Sequence, residues 1–343
     1  MGLLHRAEAI AYRGLLGLPE PVQRLLAGRR LVRDGQTLAS DVQLTLRLMR
    51  VTREPGLGDL PVPEARVLLR RQAALAGGDQ PIGSVRDLAV ADRPARLYIP
   101  SGAAEVGPLL VFLHGGGWVL GDLDSHDPVC RHLAEQARVR VLAIDYRLAP
   151  EHPFPAAYDD CLAAFRWVVD HGAQVGADPS RLAVGGDSAG GTLAASVAIA
   201  AAREGLPLAF QLLVYPGTDM RGGTGSRAAF NEGLVLDQRF LDLSVDSYLP
   251  RPEDAVDPRA SPLLADLPAG LAPAYVATAG FDPLRDEGEA YARRLGEAGV
   301  EVELRRFPDQ VHGFLQMVGV GRTTRAAVAE VVSRLGAALA TRP

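Results

Sequence analysis

Val184-Gly185-Gly186-Asp187-Ser188-Ala189-Gly190-Gly191 is the stretch from which the fold can be read. A short apolar strand, Leu182 to Val184, leads into it, and an Ala-rich helix, roughly Ala189 to Glu204, leads out. The five residues Gly186 to Gly190 fit G-x-S-x-G, in which a serine sits on a sharp, strained strand-to-helix turn and projects its hydroxyl clear of a sheet. A Cβ at either flanking glycine would collide with the neighbouring strand or helix. The helix that follows aims its first N–H groups, beginning with Ala189, at the place where an anion would form. With 37 glycines in the chain, a Gly-rich packing turn is the competing reading, so the rest of the sequence has to decide.

Working outward, 343 residues suffice for one large α/β domain with an appendage. A formal net charge of −5 argues against a nucleic-acid footprint, which needs clustered basic surface. Arg6, Glu8 and Arg13 interrupt any apolar leader. The longest uncharged runs, Val106 to Gly121 and Ser188 to Ala202, are too short and too rich in small residues to span a membrane. Cytoplasm is therefore the expected compartment. Cys130 and Cys161 lack metal-ligand spacing and read as buried free thiols in helices. Lysine is absent from the sequence, which excludes a Walker A loop, a lysine Schiff base and a Ser-x-x-Lys acyl-enzyme site.

Residues 1 to about 80 read as mainly helical, punctuated by Pro19, Pro21, Pro61 and Pro63, with a clear helix over Pro63 to Ala76. Val42, Leu44, Leu46 and Leu48 recur at a period of two, so the helical signal is weak there. From Ser84 an antiparallel hairpin is expected, Val85–Val90 and Ala95–Ile99, turning across Asp92-Arg93-Pro94. Strands near 109–114, 139–145, 182–187, 209–215, 273–279 and 301–307 then alternate with helices near 126–137, 155–171, 189–204, 284–298 and 323–340. The continuous apolar strands suit a parallel sheet covered on both faces. Residues 217–260 interrupt the rhythm with a Gly- and Asp-rich loop and a helix from Asp237 to Leu249, placed to cover one edge of the sheet.

A turn serine of this kind uses a histidine and an acid that follow it in the chain. His312 is the one histidine after Ser188, in the expected loop Pro308 to Phe314. Alone it would read as an ordinary loop histidine. Asp282, in the loop after strand 273–279, is the favoured acid, with an N-cap as its ordinary alternative. Asp286 and Glu287 read as helix-end charges, and Asp309 is too local to reach the far ring nitrogen. Directly after Leu109–Leu113, His114-Gly115-Gly116-Gly117-Trp118 exposes backbone N–H groups without side chains in the way. That suits an oxyanion; a phosphate nest is the weaker rival, since no helix starts there. Gly223-Thr224-Gly225-Ser226-Arg227-Ala228 only loosely matches a dinucleotide fingerprint and reads as a flexible loop.

Five motifs in this order, HGGGW (114–118), YRLAPEHPFPAA (146–157), GDSAGG (186–191), DPLRDEG (282–288) and HGF (312–314), resemble the hormone-sensitive-lipase family of α/β-hydrolases in its bacterial esterase branch, over roughly residues 80 to 340. The resemblance implies an α/β-hydrolase fold, a mostly parallel sheet flanked by helices. Residues 81–216 and 261–343 would form the core, and a helical cap would come from 1–80 and 217–260, the N-terminal part being longer than usual. It implies Ser188 as nucleophile, Asp282 as acid, His312 as base, and the N–H groups of Gly116, Gly117 and Ala189 as oxyanion donors. The implied activity is a serine carboxylesterase acting on short- to medium-chain acyl esters, with no metal or cofactor, a small-molecule partner and a possible homodimer. Amidase, deacetylase and acyl-transfer chemistry would use the same triad. Receptors that resemble this family bind small acids but have lost the histidine, which His312 argues against here.

Overall fold

The computed structural model describes residues 3–340. Four helices, α1 (Leu3–Leu16), α2 (Glu20–Ala27), α3 (Ser40–Val51) and α4 (Val62–Gly77), precede the sheet, with a two-residue hairpin of β1 (Val32–Arg33) and β2 (Gln36–Thr37) between α2 and α3. Then come β3 (Ser84–Val90), β4 (Arg93–Ile99), β5 (Gly107–Leu113), α5 (Asp127–Ala137), β6 (Arg140–Ile144), α6 (Ala156–His171), β7 (Ala177–Asp187), α7 (Ala189–Glu204) and β8 (Phe210–Val214). After α8 (Gly225–Ala229) and α9 (Gln238–Tyr248), β9 (Ala274–Phe281), α10 (Arg285–Glu297), β10 (Val302–Val311) and α11 (Arg322–Leu339) complete the chain.

Eight strands form one sheet in the order β10-β9-β8-β7-β5-β6-β4-β3. The six from β10 to β6 run parallel, and β4 and β3 join antiparallel. The alternation of a strand's side chains divides the core into two layers. Leu109, Val111 and Leu113 pack with α6, α7 and α10, whereas Leu110 and Phe112 pack with α5 and α11. Helix α7 is buried on every side from Ala189 to Ala201, which is why its residues are mostly alanine, glycine and serine: a small side chain lets the helix lie close against the sheet. Cys130 and Cys161 are buried free thiols in α5 and α6. Among the described residues, no helix is long and apolar enough to cross a membrane.

Three local expectations are corrected, and one weak helical signal is resolved. The β3–β4 turn is Ala91-Asp92, both at positive φ (47° and 62°), with Val90 paired to Arg93. Arg93 and Pro94 therefore belong to the strand, because a two-residue turn of this hand matches strand twist. Residues 40–51 are helical despite their period of two. Asp41 to Leu46 are all buried, among α1, α2 and α11, so no single apolar stripe is left to read. Strand β10 runs on to Val311 past an irregularity after Phe307, so the expected loop 308–314 is strand in its first half. Gly225–Ala229 is a short helix capped by Thr224 rather than a flexible loop, and Ser226 fastens it by donating to Pro283 O at 2.8 Å.

Candidate active site

The side chains singled out above all stand at the carboxyl ends of parallel strands, the edge where open α/β sheets bind ligands. Ser188 follows β7 and takes φ 55°, ψ −122°, a conformation that an L-residue keeps only when its surroundings impose it. Here the imposition is packing. A Cβ at Gly186 or at Gly190 would overlap Leu113 O of the neighbouring β5, so both positions flanking the turn must be glycine for the helix to start so close to the strand. The Ser188 N–H donates to Val214 O at 2.9 Å, pinning the turn to β8 on its other side.

Asp282 directly follows β9 and His312 directly follows β10, strands that are paired in parallel. His312 Nδ1 lies 2.8 Å from Asp282 Oδ2, and His312 Nε2 lies 2.9 Å from Ser188 Oγ. Asp282 is fully buried and His312 is 8% exposed. The second oxygen of Asp282 accepts the N–H of Leu284 at 2.8 Å, so the N-cap-like bond coexists with the contact to the ring. The rejected acids are engaged elsewhere. Asp286 accepts from Ser226 N–H at 2.8 Å, and Asp309 turns to Gln310. Glu287 is not a solvated helix-end charge: it is 1% exposed and paired with Arg227 of α8 at 3.0 Å. Burial pushes its carboxyl up to about 7, against the pull of that guanidinium.

The glycine run leaves β5 in an open, left-handed path: Gly116, Gly117 and Trp118 have φ of 121°, 63° and 60°. Among the described residues, the N–H groups of Gly116, Gly117 and Ala189 have no protein acceptor. A Cβ at Gly116 would overlap Leu120 O, and one at Gly117 would overlap Ser244 Oγ. Helix α4 braces the far side of this loop. Arg66 donates to Val119 O (2.9 Å) and Ala149 O (3.1 Å) while pairing with Glu151.

Sequence reasoning passed over a buried polar cluster beneath the serine. Asp187 Oδ1 accepts the Gly115 N–H at 3.0 Å and lies 3.2 Å from His126 Nε2. Gln316 touches His126 and reaches Asp187 Oδ2 at 3.4 Å. Tyr215 OH donates to Asp187 Oδ2 at 3.4 Å and accepts the Leu315 N–H at 3.3 Å. Burial raises the Asp187 carboxyl, but His126 and the Gly115 N–H more than offset this, and the net shift is downward. His114 stacks on Tyr146 at 4.2 Å; burial, with His126 adjacent, lowers its imidazole to about 4. The G-x-S-x-G pattern leaves its second position free, and His126 and Gln316 are distant in sequence, so no local signal marks this cluster.

The family model for the alpha/beta hydrolase fold matches residues 110–316. The chain belongs to this α/β-hydrolase family, in its hormone-sensitive-lipase type. It is 46% identical to a carboxylic ester hydrolase (LipN) of Mycobacterium tuberculosis, over 94% of this chain and 89% of that one. It is 40% identical to an ethyl acetate hydrolase of Pseudomonas putida, over 82% and 93%. Among solved structures, it resembles an alpha/beta hydrolase from the metagenome of Lake Arreo, Spain (TM-score 0.83, 42% identity, 88% of this chain and 98% of that one). The hyperthermophilic esterase of Pyrobaculum calidifontis is also similar (TM-score 0.81, 36% identity, 86% and 97%).

Proposed function

We propose that this hydrolase is a cytoplasmic serine carboxylesterase that cleaves short- to medium-chain acyl esters through an acyl-enzyme. Carboxylic ester hydrolysis is the activity its relatives carry at 40–46% identity over most of the chain. The observation that carries the finer reading is the unbroken chain of contacts from Ser188 Oγ to His312 Nε2 and from His312 Nδ1 to Asp282, at 2.9 and 2.8 Å.

In this reading Ser188 Oγ attacks the ester carbonyl carbon while His312 Nε2 takes its proton. The carbonyl oxygen becomes an oxyanion and accepts from the unpartnered N–H groups of Gly116, Gly117 and Ala189. As the ester C–O bond breaks, the imidazolium returns its proton to the alkoxide and the alcohol leaves. Water then repeats the sequence on the acyl-Ser188 ester and releases the acid. Asp282 holds the ring with Nε2 toward the serine and stabilises the imidazolium. Residues 1–80 and 217–260 act as the cap: α1, α3 and α4 wall a cavity that reaches Ser188, and α9 closes it from the other side. A histidine in hydrogen-bonding distance of the serine supports turnover over mere ligand capture.

Ser188→Ala tests this. Loss of about 10⁴–10⁶ in kcat toward p-nitrophenyl butyrate, in a protein with unchanged circular dichroism, is expected; retained turnover refutes the assignment.

A further inference from the structure

Ser188 opens onto two cavities of very different size. One, of about 340 Å³, contains His312, Gly313 and Gln316 in its wall and extends under the N-terminal helices to Met49, Leu69 and Ala73. The other, of about 30 Å³, lies on the opposite side against Trp118, Ala189, Leu241, Val245 and Leu284. Phe240 and Leu236 stand in the walls of both and divide them. The first is within the range of about 300–1,000 Å³ typical of small-molecule sites; the second is about a tenth of its size.

Resting on the triad reading above, we propose that the large cavity receives the alcohol portion of the ester and the small one the acyl portion, so that the substrate class is short-acyl esters of large apolar alcohols. The orientation follows from proton transfer. When the tetrahedral intermediate collapses, the bond between the acyl carbon and the alkoxide oxygen breaks. The proton on His312 Nε2 passes to that oxygen, which must therefore lie against the imidazole. The carbon chain behind it then extends along the His312 side, and only the large cavity is walled by His312. The acyl carbon stays bonded to Ser188 Oγ with its oxyanion on the amides of Gly116, Gly117 and Ala189, which border both cavities. With the alcohol on the His312 side, the small cavity, which Gly117 and Ala189 line, is left for the acyl chain. There Leu241 and Val245 of α9 stop it after a few carbons.

Octyl acetate and ethyl octanoate are isomers with the ester group displaced, and they separate the two orientations. The kcat/KM for octyl acetate should exceed that for ethyl octanoate by about tenfold or more; equality or the reverse preference overturns the proposal. Ala73→Phe fills the large cavity and Leu241→Ala opens the small one. Each should lower the octyl acetate to ethyl octanoate ratio, the first through its numerator and the second through its denominator; a ratio that rises or stays fixed in both overturns the assignment. Running Ser188→Ala on the same two esters keeps the outcomes apart. Its inactivity leaves the nucleophile standing whichever isomer is preferred, and its activity overturns the reading on which this proposal rests.

Discussion

Asp187 Oδ1 accepts the Gly115 N–H at 3.0 Å, so the residue immediately before the serine ties the β7 turn to the glycine run leaving β5. Through Tyr215 and Gln316 the same carboxylate reaches the segment that follows His312. One buried anion, set in the wall of the cavity onto which Ser188 opens, thus fixes three loops relative to each other. Asp187→Ala should lower kcat by about 10–100-fold, less than the roughly 10²–10³ of a lost oxyanion donor, with KM little changed. Asp187→Asn keeps an acceptor for Gly115 and should recover most of the rate. Steady-state kinetics on p-nitrophenyl butyrate measure both; a change confined to KM would contradict the positioning role.

The close approach of α7 to β5 makes Gly190 a stability determinant as well as part of the turn. Gly190→Ala places a methyl group on Leu113 O, where only backbone movement can relieve the overlap. A cost of about 1–3 kcal/mol or more is expected in denaturant unfolding, together with loss of activity. Gly296 in α10 has open space around its Cα, so Gly296→Ala should instead stabilise by about 0.4–1 kcal/mol.

Two buried groups give stability opposite dependences on pH. His114 is held at about 4 against an ordinary 6.5, mainly by burial. Between those values the unfolded chain binds more protons than the native one, so stability falls as pH drops through the window, by up to about 3 kcal/mol. Glu287 is raised from 4.5 to about 7, again by burial. Its contribution is complete below 4.5 and is lost as pH rises through 7. The two oppose each other between about 4.5 and 6.5. His114→Gln should make unfolding free energy fall more steeply with rising pH in that interval, and Glu287→Gln should make it rise. Denaturant titrations at several pH values read these slopes independently of each variant's absolute stability.

Much of the fold was legible because its signals are local. The strands of the parallel sheet are uninterrupted apolar runs, and the flanking glycines of the turn are required by contacts with the adjacent strand. Long-range enclosure is what the sequence concealed. Helix α3 lost its helical stripe because neighbours cover it on several sides, and Glu287 looked solvated until Arg227 arrived from sixty residues upstream. Ser188, Asp282 and His312 could be named from order and loop position, and His312 stands within hydrogen-bonding distance of the other two. Asp187, His126 and Gln316 could not, since their partnership exists only once the end of β7 and the segments that follow β5 and β10 meet at one edge of the sheet.

Asp282→Asn should leave the protein folded, with His312 in place but its ring no longer held in the productive tautomer. By the behaviour of such triads, kcat should drop by roughly 10⁴. A loss of tenfold or less at neutral pH would move the acid's role elsewhere.

That Ser188 is the nucleophile is tested most directly by a covalent trap. Incubation with paraoxon, followed by intact-protein mass spectrometry and peptide mapping, should reveal one diethylphosphoryl group per chain, located on Ser188, with activity lost in step and no adduct on Ser188→Ala. A stoichiometric adduct on a different residue, or full activity after Ser188 is labelled, would contradict it.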